Sequence, residues 1–174
     1  MSNTGNDPYV VLAKNTINKY VTTGEKISVP DALPQEMLND QAGAFVSIHK
    51  KGSLRGCIGT ILPTTDSIAE EIIQNAISAS TKDPRFSPIT EEELADLDIS
   101  VDVLMKPEVI DSPDKLDVKR YGVIVTRGFR RGLLLPDLDG VDTVEEQIAI
   151  AKMKAGIDED EDVKLERFEV IRHH

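Results

Sequence analysis

Apolar residues recur at helical spacing directly after an Asp7-Pro8 pair: Val10, Ala13, Ile17, Tyr20 and Val21, with Gly24 ending the run. Aspartate before proline suits a helix start, because the carboxylate caps the first amides and proline has no N–H to leave unpaired. A first helix is therefore predicted. Residues 27–41 carry Pro30 and Pro34 and read as a connector with room for one helical turn. A hairpin follows, with strands over 44–49 and 54–61 around a turn containing Lys51-Gly52-Ser53, broken by Pro63-Thr64-Thr65.

Ser67 and Glu70 form a capping box that opens a second helix, whose stripe Ile68, Ile72, Ile73, Ala76 and Ala79 faces a core. Asp83-Pro84 stops it, since the residue before proline disfavours the helical region. Thr90 and Glu93 repeat the box for a short helix. Ile99, Val101 and Val103 alternate with Ser100 and Asp102 as a half-buried strand, with Asp98, Ser100 and Asp102 on its solvent side. Ser112-Pro113 marks a further short helix. Residues 122–126 and 132–135 read as strands around a basic loop, the Leu133-Leu134-Leu135 run suiting burial on both sides. Thr143 and Glu146 start a third boxed helix that runs to Ala155 with Gly156 as its left-handed stop. Residues 163–171 read as one closing strand. Hairpins mixed with helices favour an α+β fold with antiparallel sheets and flanking helices. If the single domain 1–174 has two sub-lobes, 27–41 and 105–120 are the expected crossovers.

Composition narrows the function classes. The 174 residues carry 31 acids against 20 Lys and Arg, a net charge of −11, which argues against gripping a nucleic-acid backbone. One cysteine allows no internal disulfide. No apolar run approaches the roughly 20 residues that span a bilayer. With a polar N-terminus lacking a signal-peptide layout, the expectation is a soluble cytoplasmic chain with no membrane and no nucleic-acid partner. Charge is polarised along the chain: residues 137–162 hold ten acids and two lysines, whereas 119–131 hold five basic residues and no acid. Solvated faces explain this pattern, and so do complementary patches for a partner or an anionic ligand.

Chemistry concentrates in Leu54-Arg55-Gly56-Cys57-Ile58-Gly59. On a regular strand Arg55 and Cys57 share a face, and a guanidinium beside a thiol favours the thiolate. Gly56 and Gly59 permit close approach of a ligand or of another backbone. The alternative is a cysteine that serves as a small buried hydrophobe. Whether His49 can assist Cys57 depends on register. A two-residue turn puts His49 opposite Leu54 and off the thiol's face, and a three-residue turn pairs it with Arg55 on that face. In Asp83-Pro84-Arg85-Phe86, Phe86 suits a core position and Asp83 a helix end or a neighbouring amide. Arg85 suits either a salt bridge or an anionic ligand. Lys154 complements a helix C-terminus or reaches toward Cys57. No nucleotide fingerprint, P-loop or metal-ligand spacing appears, so no cofactor and no metal are expected.

Taken together, Leu54-Arg55-Gly56-Cys57-Ile58-Gly59, Asp83-Pro84-Arg85-Phe86, Arg131-Gly132-Leu133-Leu134-Leu135-Pro136 and Lys154-Ala155-Gly156 resemble, in order, the blocks of the AMMECR domain family, also described as AmmeMemoRadiSam system protein A. The resemblance runs from Asp7 to Phe168. It implies an α+β fold of two unequal lobes forming a cleft, where Cys57, Arg55, Asp83, Arg85 and Lys154 would gather. Cys57 and Arg55 would be catalytic, with His49 as a weaker third. Asp83, Arg85, Lys154, Gly56 and Gly59 would bind a small anionic substrate. The family's molecular function is not established. Its members imply a Memo-like protein and a radical-SAM protein as pathway partners, and a non-enzymatic carrier or partner-binding module is the alternative. Many members carry a second cysteine just before the position of Lys154, where this chain has Ile150, Ala151 and Met153, which weakens any two-cysteine proposal.

Overall fold

The computed structural model describes residues 7–174, so the polar stretch that precedes Asp7 lies outside the described residues. Contacts divide the chain into two compact units, one reaching to Leu104 and including Ile171–His174, the other Met105–Val170. The connector at 27–41 lies within the first.

The first unit opens with α1 (Pro8–Thr23). Asp7 accepts the N–H of Tyr9 at 2.9 Å, and Gly24 ends the helix at φ 75°. After α2 (Gln35–Asn39) come β1 (Ala44–Lys50) and β2 (Ser53–Gly59). Lys51 and Gly52 both have positive φ, 51° and 82°, as a tight two-residue hairpin turn requires. α3 (Ile68–Thr81) starts where Ser67 accepts the N–H of Glu70. Its entire predicted stripe is buried. A 3-10 helix over Glu91–Asp96 carries the Thr90–Glu93 box and leads into β3 (Leu97–Leu104). The inward residues Ala44, Val46, Ile48, Ile99 and Val101 pack with α1 and α3 into one core.

The second unit contains β4 (Glu108–Ile110), β5 (Gly122–Arg127), β6 (Arg130–Leu134), α4 (Val144–Ala155) and β7 (Lys164–Phe168), in the sheet order β4-β7-β5-β6. Its core joins Val123, Val125 and Leu134 to Ala151 and Ile157. The other sheet has the order β2-β1-β3-β8, with β8 spanning Val170–His173; β1 runs antiparallel to both β2 and β3, and β4, β7, β5 and β6 each run antiparallel to their neighbours. This is the α+β class expected.

Several local readings need correction. The single strand over 163–171 is two strands in different sheets, interrupted at Glu169, because an extended run in sequence carries no mark of where it changes partner. Of Leu133, Leu134 and Leu135 only Leu134 is buried. Phe86 is not a core residue: it is half-buried beneath the Arg85 guanidinium, while Ile89 enters the core. Asp102 does not face solvent. It is buried against Arg172, which grips both carboxylate oxygens at 2.8 and 3.1 Å. Among the described residues no helix is long and apolar enough to cross a membrane.

Candidate functional site

β2 is an edge strand, and its register is not regular. Lys50 pairs with Ser53 and His49 with Leu54, but Ile48 pairs with Gly56 and Ser47 with Cys57. Arg55 is the extra residue of a β-bulge, which shifts every later residue of β2 to the other parity. The turn is therefore the two-residue one, yet Cys57 lies on the same sheet face as Ser47 and His49. The expected link between a two-residue turn and opposite faces fails because it assumed an unbroken ladder. Ser47, rather than His49, is the direct neighbour: its Oγ lies 3.3 Å from Cys57 Sγ. His49 sits one pleat further along, between Leu54 on β2 and Asp98 on β3.

At the edge of the sheet, main-chain groups of β2 point away from β1 and need partners. Those of Cys57 find them in the segment after α3. Its N–H donates to Asp83 Oδ2 at 3.0 Å, and its carbonyl accepts Arg85 Nη2 at 3.1 Å. The two side chains are bound to each other as well. Arg85 Nε and Nη2 donate to the two oxygens of Asp83 at 3.0 and 2.7 Å, and the Arg85 N–H adds a further bond at 3.1 Å. An ion pair thus takes the place of the missing neighbouring strand.

Electrostatics follow from this geometry. The Arg85 hydrogen bonds pull the Asp83 pKa down to about 2, outweighing the burial that raises it, and the N–H of Cys57 adds to the effect. Asp83 raises the Arg85 pKa in return, with a smaller contribution from Cys57. Asp83 is 2% exposed, whereas Arg85 is 52% exposed, so one end of the pair is interior and the other open. Among the described residues Nη1 of Arg85 has no hydrogen-bond partner, while Nε and Nη2 are both engaged. A guanidinium locked along one edge with the other edge open is preorganised for a carboxylate or phosphate oxygen.

Arg55 has a different task from the one expected. Its fork holds Glu93 at 2.9 and 3.0 Å and the carbonyls of Ser87 and Pro88 at 2.8 and 3.3 Å. The Arg55 hydrogen bonds, helped by the Thr90 N–H and by Lys50, outweigh the upward push of burial and keep the Glu93 carboxyl well below the usual carboxylate range. The segment between Asp83 and Glu93 is consequently pinned to β2 at both ends, by Cys57 and by Arg55. The arginine that touches Cys57 is Arg85.

Both glycines of the motif serve packing. A Cβ on Gly56 would run into the carbonyl of Ala79 on α3, and one on Gly59 would run into the ring of Phe45. Close approach is thus required by the protein itself. Lys154 belongs to α4 in the second unit.

Glu71 went unnoticed in the sequence. Fully buried, it accepts five hydrogen bonds: from the hydroxyls of Thr60, Thr64 and Thr65 and the N–H groups of Thr64 and Thr65, at 2.6 to 3.0 Å. Burial pushes its pKa up, but these donors outweigh it and leave the group lowered. It anchors the chain just beyond Gly59. Its place in the first turn of a helix signals only a favourable dipole interaction, so the sequence carried no sign of the anchor.

The AMMECR1 family model matches residues 10–173. A protein of Thermotoga maritima is 54% identical over 171 residues, covering 97% of this chain and 98% of its own length. A protein of Clostridium acetobutylicum is 56% identical over 168 residues, and this chain spans only 36% of that relative's length. The crystal structure of an uncharacterised protein from Pyrococcus horikoshii has the same fold, with a TM-score of 0.88 at 36% identity, covering 94% of this chain and 88% of that one.

Proposed function

The chain belongs to the AMMECR1 family, and on that premise we propose that Cys57 is the reacting group of an activity on a small anionic substrate held by Arg85. One observation carries the reading: a half-exposed guanidinium, fixed to Asp83 and to the Cys57 carbonyl, has its Nη1 edge open beside a half-buried thiol. A cation bound to the carbonyl of the same residue favours thiolate over thiol, and a thiolate is the nucleophilic form. Arg85 would take the substrate's carboxylate or phosphate group, leaving its electrophilic centre to Cys57. Ser47 would hydrogen-bond the sulfur. Arg55 and Asp83 would hold the frame without touching substrate. The family resemblance adds a shared pathway with Memo-like and radical-SAM proteins to this proposal.

The alkylation rate of Cys57 with iodoacetamide, measured from about pH 5 to 10, tests it. An apparent thiol pKa below the ordinary value of about 8.5 is expected, moving back up in Arg85→Gln. A thiol that reacts only when the protein unfolds would overturn the proposal.

A further inference from the structure

Cys57 pairs with Ser47 and Gly59 with Phe45, and the outward bonds of Cys57 show that this parity of β2 turns its main-chain groups away from β1. The N–H of Gly59 therefore points to the same open edge as the N–H and carbonyl of Cys57. The ion pair is laid along that edge in the direction of the chain, Asp83 on the Cys57 N–H and then Arg85 Nη2 on the Cys57 carbonyl. The next outward group is the Gly59 N–H, and among the described residues no acceptor meets it. Arg85 Nε and Nη2 face Asp83, and Nη2 gives its second hydrogen to the carbonyl. In a planar guanidinium Nη1 then stands on the side of Nη2 away from Asp83, which along this edge is the Gly59 side. Two donors, one charged and one from the main chain, are thus open next to each other.

What they suit is set by charge and shape. The Phe45 ring lies across Gly59, where an added Cβ would strike it, so the donors have an apolar wall on one side. Low polarity strengthens a hydrogen bond to an anion placed there. Arg85 is already balanced by Asp83. A phosphate dianion would set a second negative charge close to Asp83 with no further cation to meet it. A carboxylate brings one charge and two coplanar oxygens, one for each donor. We infer that Arg85 Nη1 and the Gly59 N–H together hold the two oxygens of a carboxylate, and that the substrate of this site is a small carboxylic acid with its electrophilic carbon beside that group. The inference rests on Cys57 as the reacting residue and narrows the anion it acts on.

Iodoacetate and iodoacetamide separate the two readings. With either reagent the thiolate sulfur bonds to the methylene carbon and iodide leaves, but only iodoacetate carries a carboxylate. The rate ratio of iodoacetate to iodoacetamide should exceed that of a free thiol, N-acetylcysteine amide, by about tenfold, the worth of one charge-assisted hydrogen bond. Arg85→Gln should return the ratio toward the free-thiol value. On the unaltered protein, acetate should protect Cys57 from iodoacetate, inorganic phosphate at the same ionic strength should protect it less, and the Gly59 amide resonance should move as acetate is added. A ratio equal to that of the free thiol, phosphate protecting as well as acetate, or a Gly59 amide indifferent to acetate would overturn the inference. None of these touches the reading of Cys57 itself, which stands on its alkylation by iodoacetamide. A thiol that iodoacetamide reaches only on unfolding overturns that reading instead, and the Gly59 titration then decides the carboxylate site by itself.

Discussion

The buried carboxylate of Asp83 accepts the main-chain N–H of Cys57 at 3.0 Å while the same oxygen takes Arg85 Nη2 at 2.7 Å. The loop after α3 therefore grips β2 at the residue that carries the thiol. A charge is used where a neighbouring strand would have served, so the edge stays closed to other strands while one side of a guanidinium is kept open.

Asp83→Asn removes the charge but keeps the shape. A buried acceptor that serves a guanidinium and two amides contributes about 2–3 kcal/mol, and the substitution should lower stability to urea by that order. The pH dependence has a definite sign. The folded pKa is depressed from 3.8 to about 2, so the contribution is complete above about pH 4 and is lost as pH falls through 2. The stability gap between wild type and variant should accordingly narrow over that window. A gap that stays constant from pH 6 to pH 2 would contradict the assignment.

Arg55 and Arg85 should separate cleanly. Arg55→Gln leaves the partly covered Glu93 carboxylate with only Lys50 for charge, and loss of its charged hydrogen bonds costs about 2 kcal/mol. Arg85→Gln leaves the Asp83 carboxylate, only 2% exposed, with two amides and no cation, so it should cost at least as much. The alkylation pKa of Cys57 tells the two apart, with Arg85→Gln raising it and Arg55→Gln leaving it near the wild-type value. Urea titration and alkylation profiles on the same two proteins decide this, and a larger pKa effect from Arg55→Gln would return Arg55 to the role first expected of it.

Gly56→Ala adds a single methyl group where it meets the main-chain carbonyl of Ala79. Backbone cannot rotate aside, so α3 and β2 must separate, at a cost of about 3 kcal/mol. Gly128→Ala meets no neighbouring atom and carries only the cost of its positive φ, about 1 kcal/mol. Comparison of the two midpoints in urea tests whether the motif glycine serves packing.

The parts of the molecule that could be read beforehand are those whose causes are local. Asp7-Pro8, Ser67 with Glu70, Thr143 with Glu146 and the stop at Gly156 each act within a few residues, and each lies where the pattern put it. Cys57, Asp83 and Arg85 were also identified as chemistry-bearing positions, and they do meet. The bulge at Arg55 was not legible, because an extra residue on one strand is defined only against its partner. That one residue decides which face the thiol occupies and which arginine stands beside it. Asp102 misled for a similar reason: alternation assigns it to the outer face, but only the arrival of Arg172 from β8 makes burial there tolerable.

Glu71 provides a test of how the chain beyond the motif is held. Its Oε1 accepts the N–H groups of Thr64 and Thr65, and its Oε2 takes only hydroxyls, those of Thr60 and Thr64. Hydroxyls can turn round and accept, whereas amides cannot. Glu71→Gln, with its oxygen toward the amides, keeps both amides satisfied and takes an acceptor only from the Thr60 and Thr64 hydroxyls, so it should cost about 1–2 kcal/mol. Glu71→Ala strands two amides in the interior and should cost about 3 kcal/mol or more. Hydrogen exchange reads the difference residue by residue: the Thr64 and Thr65 amides should stay protected in Glu71→Gln and lose protection in Glu71→Ala. Equal exchange in the two variants would mean that the negative charge, rather than the acceptor geometry, holds this segment in place.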